Sequence, residues 1–205
     1  MQTSLIYVDD FEPEVFEPLV SAANQDQIPL DVHIRPNQPM AALEWLVLPA
    51  VALYFAKPFV DKLLAKASDD VAATVYPKFK LALHALVTRL YLKDRLRFKT
   101  FSSGKGKIVD EGAWLFGIYS VARSGKRIKF VFGDGLTAAQ YATAVEELLK
   151  TLRAHHLDGV NDEIARGVAL LLNPNMPDIL LLFHAQKGKW EVIDPIARIQ
   201  NRGKP

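Results

Sequence analysis

Hydrophobic and polar positions along this chain fall into three blocks with different periods. In the first, Ser4–Val8 is a short β-prone run, Pro13–Ala23 has a helical spacing, and Leu30–Ile34 is a second strand between Pro29 and Pro36. The chain therefore opens as a compact β-α-β unit. An apolar stretch follows from Met40 to Ala56, broken by Glu44 and Pro49 and ended by Lys57. Within it, Leu43–Leu48 fits either a third strand or the end of a short helix opened by Pro39. A membrane span needs about 20 apolar residues, and a carboxylate near its centre costs about 2.5–3.5 kcal/mol. The stretch is accordingly expected to form a buried strand followed by a core helix, with peripheral membrane attachment through residues 40–56 as the competing reading.

The second block is helical. Pro58 suits the first turn of a helix running through Ala67, Ser68-Asp69-Asp70 offers N-cap chemistry, and Pro77 opens or kinks another helix. In that last helix Phe79, Leu83, Leu86, Val87 and Leu90 form one apolar stripe.

The third block alternates with period two. Arg95–Thr100, the β-prone run Trp114–Val121, and Arg127–Phe132 after Ser124-Gly125 read as strands, the last two as a hairpin. Thr137 with Gln140 makes a capping box for an amphipathic helix whose inner face carries Tyr141, Ala144, Val145, Leu148, Leu149 and Leu152. Asn161–Leu172 reads as a helix weakened by Gly167, and Ile179–Ala185 with Trp190–Ile193 as a closing hairpin. Arg198–Pro205 is expected to be a loose tail. These elements predict an α+β class: a mostly antiparallel sheet in the C-terminal half with an amphipathic helix, preceded by the small β-α-β unit and a helical middle. The 205 residues suit a single domain, with a division into two lobes (1–56 and 93–205, joined by helices of 57–92) as its variant. No repeat of 20–50 residues is visible, which excludes solenoids and propellers.

Composition narrows the chemistry. Half the residues are hydrophobic, which excludes a disordered or collagen-like chain, and the absence of cysteine excludes disulfides, thiolate catalysis and thiolate metal sites. The reducing cytoplasm is the expected compartment, since no basic region precedes the first short apolar run. Net charge is only +2 but unevenly spread: residues 1–34 hold seven acids and no Lys or Arg, leaving +9 for the remainder. Residues 89–129 hold eleven bases against Asp94, Asp110 and Glu111. Such asymmetry points to an electrostatic partner, or to an acidic head lying against the basic middle of the same molecule.

Three constellations carry candidate chemistry. Asp9 and Asp10 follow Leu5-Ile6-Tyr7-Val8, and two carboxylates at a strand's end suit Mg²⁺, a hard cation that prefers oxygen ligands. Over about 25 residues this run resembles the opening of a response-regulator receiver domain, where an acidic pair after the first strand binds the metal. A receiver also carries a phosphate-accepting Asp after its third strand, and the corresponding stretch, Val51–Pro58, has no acid. An exposed turn whose acids complement a helix N-terminus is the preferred reading of the pair.

Gly133-Asp134-Gly135-Leu136-Thr137-Ala138 matches the G-x-G-x-x-A of dinucleotide sites, but that fingerprint needs a parallel β-α-β unit, and the preceding strand is expected in an antiparallel hairpin. The histidines show no metal-binding spacing; adjacent His155 and His156 end the amphipathic helix, where a cationic ring complements the dipole. There is no G-x-S-x-G elbow and no P-loop.

The third constellation is the alternating basic sheet. Arg95, Arg97 and Lys99 share one strand face, as do Arg127 and Lys129, so neighbouring strands would gather five cations on one plane. That plane suits an acidic protein surface or a nucleic acid, although RNA-binding sheets also need stacking aromatics, for which only Tyr119 and Trp114 are candidates. A solvated face whose Lys and Arg discourage edge pairing explains the same residues. The sequence therefore favours a non-catalytic binding protein, of the toxin-immunity or regulatory-adaptor kind, recognising an acidic partner through Arg95, Arg97, Lys99, Arg127 and Lys129. The alternatives are a divalent-metal enzyme using Asp9 and Asp10, and a nucleic-acid-binding module.

Overall fold

A computed structural model describes residues 2–36, 49–64, 76–93, 115–133, 135–157, 162–171 and 178–194. Its elements are β1 (Thr3–Val8), a 3-10 turn (Pro13–Val15), α1 (Glu17–Gln25), β2 (Leu30–Arg35), β3 (Val51–Tyr54), α2 (Lys57–Leu64), α3 (Pro77–Thr88) continued by a π-helical turn (Arg89–Lys93), β4 (Phe116–Val121), β5 (Arg127–Val131), α4 (Ala138–Leu157), α5 (Glu163–Ala169), β6 (Asp178–His184) and β7 (Lys189–Ile193). The strands form one seven-stranded sheet in the order β2-β1-β3-β4-β5-β6-β7, so strands from both ends of the chain share it.

The α+β class is as expected, but the sheet is mixed rather than mostly antiparallel. β1/β2, β3/β4 and β5/β6 are parallel, whereas β1/β3, β4/β5 and β6/β7 are antiparallel. The cause is connection length. Parallel neighbours need a crossover of a dozen or more residues, and helices stand between the members of each parallel pair; tight turns give the β4/β5 and β6/β7 hairpins, whereas β1 and β3, antiparallel as well, are brought together only by the assembled sheet. Val51–Tyr54, inside the apolar stretch, supplies the third strand, while Leu43–Leu48, Ser68–Asp70, Arg95–Thr100 and Arg198–Pro205 lie outside the described residues. Among the described residues no helix is long and apolar enough to cross a membrane.

The helices pack side by side, α1 on α3, α3 on α4 and α4 on α2 and α5. The sheet face beneath them carries Leu5, Leu53, Ile118, Phe130, Leu181 and Trp190, all buried. Phe79, Leu83, Leu86, Val87 and Leu90 are buried as their spacing requires, and so is the predicted inner face of α4. Trp190 stands edge-on to Phe130, Phe132 and Phe183 and donates its indole N–H to the Ala144 carbonyl at 2.9 Å, tying β7 to α4. The Thr137–Gln140 capping box closes in both directions, Thr137 N–H to Gln140 Oε1 at 2.8 Å and Gln140 N–H to Thr137 Oγ1 at 3.3 Å. Gly167 has a packing role: a Cβ there would overlap Val192 of β7. Its helix cost is exchanged for close approach of α5 to the sheet.

Candidate functional site

The other face of the sheet holds the polar chemistry. Strand register sets Val121, Arg127 and Asp178 in one row across β4, β5 and β6, and Tyr54, Tyr119, Lys129 and Leu180 in the next across β3 to β6. Arg127 donates from Nε to Asp178 Oδ1 at 2.7 Å and from its terminal nitrogen to Oδ2 at 2.8 Å, a two-pronged pair that fixes the guanidinium plane. Asp178 is almost completely covered, yet the Arg127 side chain keeps 47% of its surface open. The pair raises the Arg127 pKa, chiefly through that hydrogen bond.

Tyr54 and Tyr119 stack with ring centroids 4.5 Å apart, and Arg127 and Lys129 both lie over the Tyr119 ring, at 5.4 and 5.5 Å. Burial raises the pKa of both phenols and lowers that of Lys129 from 10.5 to about 8. Gly117, on the same face, leaves room for Pro49: a Cβ there would stand 3.1 Å from the Pro49 ring. Arg35, from the end of β2, donates to the Pro49 carbonyl at 2.8 Å and has its pKa lowered, chiefly by burial.

Above this row the β4–β5 turn is closed by Ala122 N–H to Lys126 O at 2.7 Å, with Gly125 at φ 81°, a conformation that disfavours a side chain. Ser124, Gly125, Lys126, Arg127 and Asp178 line an open depression of about 600 Å³.

Arg127 and Lys129 thus share a face, as alternation requires, but only Arg127 is presented to solvent: Lys129 is 1% exposed. Arg95, Arg97, Lys99 and Trp114 lie outside the described residues. Tyr119 is buried and cannot receive a stacked base. Asp178 was not legible as a site residue; the only signal was a lone carboxylate preceding the apolar run Ile179–Phe183.

Asp9 and Asp10 lie exposed just beyond β1, where Asp9 N–H donates to Arg35 O at 2.9 Å. Among the described residues no three His, Asp or Glu side chains converge to hold a metal. The Gly133 motif does sit in a parallel β5-α4-β6 crossover, because β5 pairs antiparallel on one side and parallel on the other. Its mouth is bound by the protein itself. Tyr141 Oη donates to Gly133 O, Tyr91 Oη donates to Phe132 O, both at 3.0 Å, and the capping box occupies the start of α4.

His155 has both ring nitrogens engaged, Nδ1 with Asp162 Oδ2 at 3.0 Å and Nε2 accepting from Arg123 N–H at 3.3 Å. Those bonds make the ring a joint between α4, the β4–β5 turn and the N-cap of α5. They leave no nitrogen for general-base work. His156 has its pKa lowered, first by burial and then by His155.

The chain matches no known family model, no characterised protein and no solved structure.

Proposed function

We propose that this protein acts by binding, and that it engages an acidic protein surface at the β4–β5 end of the outer sheet face. The observation that carries this reading is the Arg127–Asp178 pair. A buried carboxylate holds the guanidinium in one plane while nearly half of the arginine faces an open depression. Pre-ordering of this kind lowers the entropy lost when a carboxylate docks. Lys126 borders the same depression, Arg123 is exposed on the same turn, and Lys129 adds positive potential from beneath the surface without touching a partner.

Charge reversal at Arg127 or Lys129 would strand Asp178 or bury an anion, so the informative variants lie on the turn. Arg123→Glu/Lys126→Glu is expected to retain its melting temperature and to lose capture of an acidic partner from host lysate at low salt. Wild-type capture should fall as salt is raised, because the contact is electrostatic. Equal capture by variant and wild type would overturn the reading, and retention of oligonucleotides instead of protein would favour the nucleic-acid alternative.

A further inference from the structure

The two edges of the sheet differ in kind. β7 is guarded by ion pairs of Lys189 with Glu163 and Lys187 with Glu191, both at 2.7 Å, and by α5 packed on Val192. Among the described residues β2 has no such cover: Asp31, Val32, His33 and Ile34 are all exposed, Val32 by 41% and Ile34 by 57%. Among the described residues, no strand pairs with its outer side. A bare apolar edge is a template for another strand.

Backbone polarity and side-chain charge together select what fits. Arg35 O accepts from Asp9 N–H, so its carbonyl faces β1. By the period of two, Asp31 and His33 face the same way, and Leu30, Val32 and Ile34 direct their N–H and C=O groups outward. An antiparallel partner must therefore pair even positions with even positions.

We propose that the partner is a second copy of this chain, paired β2 to β2 about a two-fold axis at Val32. In that register Val32 meets Val32 of the partner subunit, and Leu30 and Ile34 meet each other's counterparts, all on the apolar side of the strand. On the opposite side Asp31 faces the partner's His33, and by symmetry His33 faces the partner's Asp31, with both side chains exposed and the Gln2 amide beside the carboxylate. Moving the axis by one residue breaks this match. Centred on Asp31, the carboxylates oppose each other; centred on His33, the imidazoles do, and Asp31 meets an Arg35 already turned inward to Pro49. Centred on Ile34, His33 meets that arginine's strand position.

The absence of cysteine makes the register directly testable. At the two-fold position the paired Cα atoms lie about 5.5 Å apart, within disulfide reach, whereas residue 34 and its symmetry mate lie about 14–15 Å apart. Val32→Cys is expected to cross-link rapidly on mild oxidation, and Ile34→Cys, on the same face and more exposed, is not. Sedimentation of the wild type should show a concentration-dependent dimer. Asp31→Lys should weaken it about tenfold, and adding His33→Glu to that variant should restore it. A wild type that stays monomeric at every accessible concentration, equal cross-linking of both cysteine variants, or a double variant no tighter than Asp31→Lys would each overturn the proposal. None of these readouts depends on the Arg123 and Lys126 contact.

Discussion

Lys129 offers the sharpest test of the physical picture, because its burial should be visible as a pH dependence of stability. The side chain is 1% exposed, and burial is the first cause that lowers its pKa from 10.5 to about 8. The neighbouring Asp178 works in the opposite direction and does not overcome it. Between those two values the unfolded chain binds a proton that the folded chain does not, so stability contributed by this site rises with pH across that window. The penalty is fully present below about pH 8 and gone above about 10.5, and a shift of this size amounts to about 3 kcal/mol. Urea denaturation of wild type and Lys129→Met should be followed from pH 7 to 10. Whatever the offset between them at pH 7, the wild type should gain about 2.5 kcal/mol on the variant over that range. Tyrosines that titrate near the upper end are common to both proteins and cancel. A difference that stays constant with pH would refute the claim that the ammonium sits desolvated beside the Tyr119 ring.

Two further outcomes probe the joints of the fold. Gly167→Ala, which in an open helix would stabilise by about 1 kcal/mol, should instead cost about 1–3 kcal/mol in thermal melts because the new methyl meets Cβ of Val192. Asp162→Ala should cost about 2–4 kcal/mol, since Asp162 accepts from the Ile164 and Ala165 N–H groups and holds buried His155. Although burial pushes the Asp162 pKa up, hydrogen bonds from Ala165, His155 and Ile164 outweigh it and hold the value below 3.8. The stability it adds is therefore present above 3.8 and lost as pH falls through the folded value, and Asp162→Asn, which keeps the cap geometry, should flatten that acid limb in chemical denaturation.

The elements that local chemistry can specify were legible in the chain itself. The stripe from Phe79 to Leu90, the Thr137–Gln140 capping box, both hairpins and the opening β-α-β unit follow from periods of 3.6 and 2 and from turn residues, all of which act over a few neighbours. Alternation also placed Arg127 and Lys129 on one face. What alternation cannot express is depth or partnership. Lys129 is buried beside Tyr119 of the neighbouring strand although it shares a face with exposed Arg127, and Arg127 is oriented by an aspartate 51 positions away. Strand direction was likewise decided in three dimensions: β5 makes a hairpin on one side and a parallel crossover on the other, and only the second neighbour reveals it. The bareness of β2 against the guarded β7 depends on which strands end at the edges, a property of the assembled sheet and of no segment within it.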